Sequence, residues 1–373
     1  MRREHISDKE AIFLMIIFII GSSFILGVGG EAKNDAWISV ILGIFMAVPM
    51  ILIYARLLSL LPDMGLYDIL EWAFGKVIGK LFALFYIWYS FHLGALVIRD
   101  FGEFTATIAM PETPMFVSML CLMIVCIVAV RSGVEVMGRI SAAVLPLLFI
   151  IITAVQLMAI PKMNFHFLKP ILGNGLLPVI KAGFSTFSFP FAETVLLMGV
   201  FFSLKTKKSP YKVYLLGTAI GGGLIVIITI RNIVVLGETY TKYYFPAHVA
   251  VSMISLGDFL QRIELSVAVI FVFGVFIKSS VCLFVLSKGI AKLFNLTDYR
   301  SIVIQSGLLM LYFSVIFSDN IMQLTSWAFK IYAYYAFPFQ VIFPIILLVT
   351  VEIKVRRNKK NLLDDSSFVN NKS

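Results

Sequence analysis

Charge is what this chain has least of. Asp, Glu, Lys and Arg together make up 14% of its 373 residues, against about 25% in soluble domains. With 60% apolar residues and a mean hydropathy of +0.96, that scarcity excludes an ordinary soluble fold. Cysteine is nearly absent as well. Cys121, Cys126 and Cys282 all sit inside apolar runs, so neither a disulfide framework nor a metal site is expected. The 4 histidines (His5, His92, His166, His248) do not cluster. HExxH, GxSxG, P-loop and paired-cysteine patterns are missing, so no enzyme activity, cofactor or metal is expected. The net charge of +10 does not point to nucleic acid, because of where the charges fall.

What the chain does have is long apolar runs, each near the ~20 residues a helix needs to cross about 30 Å of hydrocarbon. The runs predict an all-α polytopic membrane protein with ten spans, at about 11–30, 38–58, 81–100, 115–130, 138–160, 176–204, 213–236, 263–288, 301–318 and 331–352. They form a single transmembrane domain over 1–358, followed by a polar tail at 359–373 expected to fray. The first run is too long for a signal-peptide core and lacks a cleavage site, so it reads as a retained span.

An even number of spans puts both termini on one side. Of the 31 Lys and Arg, 21 fall on that side, nine fall opposite, and Lys278 stands alone in mid-span. The asymmetry predicts cytoplasmic termini. The tail cluster "KVRRNKK" then reads as a clamp on anionic lipid. Two connections look structured: an amphipathic cytoplasmic stretch at 61–76, suited to the interface, and an aromatic outer loop at 237–259, long enough to cover a vestibule.

Two spans carry interruptions. In "FSTFSFPFAETVLLMGVF" (184–201), Pro190 removes a backbone donor, and Glu193 lies near mid-depth. Ser185, Thr186 and Ser188 supply hydroxyls for the freed backbone groups. Such backbone is tolerated only where protein or water meets it. In "FIIGSSFILGVGG", Gly21, Ser22 and Ser23 form a run of small residues at the same depth; either an unwound segment or a close helix contact fits them. These are the first spans of two five-span halves, 11–160 and 176–352, which must insert in opposite orientations. Matching broken helices in inverted halves point to a transporter-type binding site.

Other polar groups lie deep. Lys278, in "FGVFIKSSVCLF", is too deep to snorkel. It is read as the ion-pair partner of Glu193, as a stand-in for a coupling cation, or as a structural group bonding carbonyls. His92 is expected as a buried neutral imidazole bonded to a neighbouring helix, with ligand contact or pH response as the other reading. Arg99, Asp100 and Glu103 read as an outer-rim salt-bridge set. The run Gly221–Gly223 reads as packing or hinge.

The leader "ISDKEAI", the break "IIGSSFILG", "NDAWIS" at span two and "FSFPFAET" in span six resemble the spore germination permease family. These are the B-type subunits of endospore germinant receptors, within the amino acid–polyamine–organocation superfamily. The similarity covers about residues 5–358. It implies a five-plus-five inverted repeat with broken helices one and six, and a ligand held between spans one, three, six and eight. It also implies a subunit that senses a small nutrient in the spore inner membrane beside A- and C-type partners. Carried over by position, the ligand meets Gly21, Ser22, Ser23, Phe187, Ser188, Phe189, Pro190 and Phe191, with Glu193 close by. An amino acid is the implied nutrient, though relatives also take part in responses to sugars and ions. Many relatives have a proline after the first break; this chain reads "GVGGEA", where Gly29 and Gly30 can end the half-helix. An autonomous proton- or cation-coupled amino-acid transporter is the competing function, and a scaffold that binds nothing is a third.

Overall fold

The computed structural model describes residues 5–254 and 264–370; the end of the outer loop, Arg262 and the first residue of span eight lie outside the described residues. No strand occurs among the described residues. The chain enters its first helix through a capping box. Ser7 Oγ accepts the Glu10 N–H at 3.3 Å, and the Glu10 carboxylate accepts the Ser7 N–H at 2.9 Å. Two orphan donors are thereby satisfied at the start of α1 (Asp8–Ile20).

The helix stops at Gly21, resumes as α2 (Ser23–Leu26) and ends at Gly27, whose φ of 67° is left-handed. A 3-10 stretch (Gly30–Asp35) leads into α3 (Ala36–Leu60). Then follow α4 (Leu66–Phe104), α5 (Met115–Ser132) and α6 (Val134–Ala159). Span six is α7 (Leu176–Thr186), a π-turn (Phe187–Phe191) and 3-10 segments (Ala192–Gly199, Phe201–Ser203). After it come α8 (Ser209–Leu236), α9 (Pro246–Ser252) and α10 (Glu264–Leu293). The chain closes with α11 (Val303–Ile316), α12 (Ile321–Lys330), α13 (Tyr332–Phe337), a π-turn (Pro338–Ile342) and α14 (Phe343–Asn370).

Among the described residues, 8 helices are long and apolar enough to span a bilayer, and the α11–α12 pair, bent by 102°, brings the number to 9. Span six is not counted on length, because its longest regular piece has 11 residues. The expected ten is therefore not reached by length and composition; the break that marks span six is what removes it.

The first and eighth spans form the centre. In each, 83% of the apolar window is buried, against 33% for α5 and 28% for α6. α10 runs along α4 and α1, α8 packs on α1 and α3, and α3 packs on α7. Large apolar side chains such as Phe45, Val77 and Ile150 face outward, as a lipid-facing surface requires.

The stretch 61–76 is helical from Leu66, where it forms the first part of α4, bent at Gly75 (φ 78°). Its Leu66, Ile69 and Leu70 are buried, and Lys292 holds Asp68 and Glu71 at 2.8 Å each. The loop that follows α8 folds back on the bundle. Buried Tyr240 donates to the Val28 carbonyl at 3.2 Å, beyond the second half of span one.

Candidate ligand site

The break in span one is held against α10. A Cβ on Gly274 would lie 2.9 Å from the Gly21 Cα and 3.0 Å from its carbonyl oxygen, so the two backbones touch. A Cβ on Gly21 would in turn meet the Lys278 Cδ at 3.0 Å. Glycine at both positions lets the lysine stem pass over the broken helix. Ser23 Oγ folds back onto the carbonyls of Ile19 (2.7 Å) and Ile20 (3.1 Å), two of the acceptors freed there.

In span six the irregularity centres on Phe189, whose φ of −124° and ψ of 114° are extended, before Pro190. Thr186 Oγ donates to the Ser39 and Gly183 carbonyls at 2.9 and 3.0 Å. The other freed acceptors are met from far along the chain. Gln340 Nε2 donates to the Ser188 carbonyl at 3.0 Å, and Tyr214 OH to the Thr194 carbonyl at 3.1 Å. Ser188 Oγ itself donates to Gln340 Oε1 at 2.9 Å. The expected local repair by Ser185, Thr186 and Ser188 is thus largely a long-range one, in which Gln340 on the second π-turn is the hub.

Beside the break, Lys278 Nζ meets Glu193 Oε2 at 2.5 Å, with both side chains fully buried. Two lone ions at this depth would each cost several kcal/mol, and the surroundings offset that cost. Tyr332 OH donates to the other carboxylate oxygen at 2.5 Å. The ammonium also lies over the rings of Phe189 (4.6 Å) and Phe18 (5.4 Å), contacts worth more when desolvated. Tyr332 and Tyr89 share a hydrogen bond of 3.0 Å, and Gln340 Nε2 donates to Tyr89 OH at 2.8 Å. A single polar network therefore ties spans three, six, eight and ten together, with Phe18 of span one against its ammonium.

One face of that network opens on a cavity of about 30 Å³ lined by Ser22, Leu26, Asp100, Phe189, Glu193 and Tyr332, with further apolar groups from α4 and α12. The volume suits a water or two and is far below the 300–1,000 Å³ of typical ligand pockets. Leu324, Ala328 and Phe329 of α12 form part of its wall, so a solute fits only if that wall moves.

The structure gathers the sequence-predicted residues unevenly. Ser22, Phe189 and Glu193 line the cavity. Gly21 contacts Lys278, and Ser23 is spent on its own helix. Phe187, Ser188, Pro190 and Phe191 are buried behind the wall. His92 lies elsewhere, caged by Trp88, Phe313, Phe317, Trp327 and Tyr335. Its Nδ1 has no partner among the described residues, against the expected bond to a neighbouring helix.

The rim triad also divides. Arg99 and Glu103 pair at 2.7 Å but are buried rather than at a rim, while Asp100 turns to the cavity. Sequence reasoning missed Asp100 as a lining residue, along with Tyr89, Tyr332 and Gln340. A signal for Asp100 existed: Leu93, Leu96, Val97 and Asp100 recur at i, i+3, i+4, i+7, a single helix face.

Broken first and sixth spans, a buried polar centre and a membrane-spanning helical bundle define a transporter-type inverted-repeat membrane protein. Solved structures agree on the fold. Mhp1, a nucleobase-cation-symport-1 family transporter in a closed conformation with bromovinylhydantoin bound, aligns with a TM-score of 0.66 at 12% identity, covering 94% of this chain and 90% of that one. MhsT in complex with L-phenylalanine aligns equally well (TM-score 0.66, 12% identity, 95% and 97% covered). Within that class, the profile of the spore germination protein family matches residues 5–322, and the chain belongs to this family. Spore germination protein KB of Bacillus subtilis is 29% identical over 366 residues, 97% of this chain and 98% of that protein. Spore germination protein A2 of the same organism is 24% identical over 331 residues (87% and 88%), and spore germination protein XB of Bacillus anthracis 22% over 285 residues (74% and 79%).

Proposed function

We propose that this chain is the membrane-embedded subunit of a spore germinant receptor, in which a small nutrient, an amino acid, binds between the broken spans and triggers germination. The observation that carries this reading is the cavity itself: it touches both helix breaks and a buried charge pair. Membership of the germination family supplies the context. The protein binds its solute without transforming it, works beside A- and C-type subunits in the spore inner membrane, and has both termini in the cytoplasm. Spores lacking the gene, exposed to a panel of amino acids, sugars and salts, lose the response to the cognate nutrient and keep the others. A full set of unchanged responses overturns the reading.

A second function, autonomous proton- or cation-coupled amino-acid transport, is favoured by the fold shared with transporters. Purified protein in liposomes separates the two. Accumulation of labelled amino acid without partner subunits favours transport, and binding without accumulation favours the receptor.

A further inference from the structure

The cavity wall contains one carboxyl group without a hydrogen-bond or ion-pair partner among the described residues. Glu193 has both oxygens engaged, by Lys278 and by Tyr332. The nearest arginine in sequence, Arg99, is spent: its guanidinium bonds Glu103 at 2.9 and 2.7 Å and the carbonyls of Ser314 and Val315 at 3.3 and 2.8 Å. Asp100 makes no hydrogen bond or ion pair among the described residues, and it lines the cavity beside Leu93, Leu96 and Val97. Ser22 Oγ, fully buried on the same wall, also has no partner among the described residues. With Glu193 and Lys278 engaged with each other, Asp100 is the ionisable group of the lining left without a partner among the described residues, and it faces apolar side chains. A carboxylate in such surroundings is costly until a cation or a donor meets it.

We infer that Asp100 recognises the ammonium group of the ligand, and that the ligand is an α-amino acid with an apolar side chain. The inference rests on the reading of this cavity as the nutrient site. The ammonium compensates Asp100, and Ser22 Oγ is left to donate to the ligand carboxylate. The apolar body packs on Leu26, Leu96 and Phe329 once α12 gives way. A neutral sugar or a 2-hydroxy acid offers Asp100 a hydroxyl hydrogen bond but no compensating charge, and a hydrogen bond between two ionised groups is the stronger one.

The test uses the purified full-length protein in lipid nanodiscs. Calorimetry measures binding of L-alanine, L-valine, L-leucine and L-phenylalanine, of their 2-hydroxy-acid counterparts, and of D-glucose, to the wild type, Asp100→Asn and Asp100→Glu. The expected result is an amino acid that binds the wild type at least tenfold more tightly than its hydroxy acid. Asp100→Asn loses tenfold or more in affinity and loses that discrimination, while Asp100→Glu recovers part of both. A hydroxy acid or glucose that binds the wild type as well as any amino acid overturns the role of Asp100 and leaves the nutrient site standing. So does an Asp100→Asn protein that keeps the discrimination. Absence of binding by every solute removes the nutrient-site reading, and the inference with it. If Asp100→Asn does not fold, the wild-type ratios and Asp100→Glu decide.

Discussion

Lys278 and Glu193 are each buried against the other, so deleting one charge strands its partner. Lys278→Met is expected to cost about 3–5 kcal/mol, read as a large fall in unfolding temperature in detergent. Adding Glu193→Gln removes the stranded charge, so the double variant should be more stable than Lys278→Met alone. A double variant less stable than the single one would show that the pair is not a closed unit. Tyr332→Phe keeps the ring and deletes the donor to Glu193 and the bond to Tyr89. A hydrogen bond to a charged group is worth about 1.5–3 kcal/mol, and a smaller loss of that order is expected in the same assay. Glu193 and Lys278 were legible in the sequence because ionisable groups at mid-depth stand out from apolar runs. Asp100 was visible but misassigned. It was grouped with Arg99 and Glu103 by proximity along the chain, yet Arg99 and Glu103 share a face while Asp100 lies about 100° away from Arg99 around the helix.

At the scale of the elements, the breaks depend on glycine only where backbones touch. Gly274→Ala puts a methyl group within 3.0 Å of the Gly21 backbone, where no flexible side chain can yield. It is expected to push the break away from α10 and to destabilise by about 1–3 kcal/mol. Gly223→Ala, with nothing within 4 Å of its added Cβ, should be neutral or slightly stabilising, since alanine is the better helix former. Equal melting temperatures for the two variants would refute the contact argument. Within the run Gly221–Gly223 the first two glycines do pack closely, on Ile19 and on Ile44 and Phe191, so only the third is free to change. The two broken spans were readable from Pro190, the small residues at 21–23 and their depth. The second π-turn at Pro338–Ile342 was not. Its meaning lies in Gln340 reaching Ser188 and Tyr89, 152 and 251 residues away, and no local pattern encodes such a partner.

At the scale of the molecule, charge asymmetry predicts an orientation, and the narrow cavity calls for motion before a solute can enter. Both can be read with thiols in a Cys121→Ser background, which removes the one exposed native cysteine. Lys242→Cys and Lys207→Cys lie at exposed positions on sides that the positive-inside rule assigns as outer and cytoplasmic. In intact cells a membrane-impermeant thiol reagent should label the first, and label the second only after permeabilisation. The reverse pattern overturns the orientation. Ser22→Cys then reports the cavity, which at about 30 Å³ leaves no room for the reagent until the wall opens. Its labelling from outside should therefore be slow and limited by opening. Phe329→Ala thins the part of the wall that α12 supplies, and it should speed labelling several-fold without affecting Lys242→Cys. A rate indifferent to Phe329, or labelling of Ser22→Cys only from the cytoplasmic face, would mean that α12 is not the moving wall. An amino acid that occupies the site should slow the reaction in proportion to its binding, which ties access, occupancy and orientation to one measured rate.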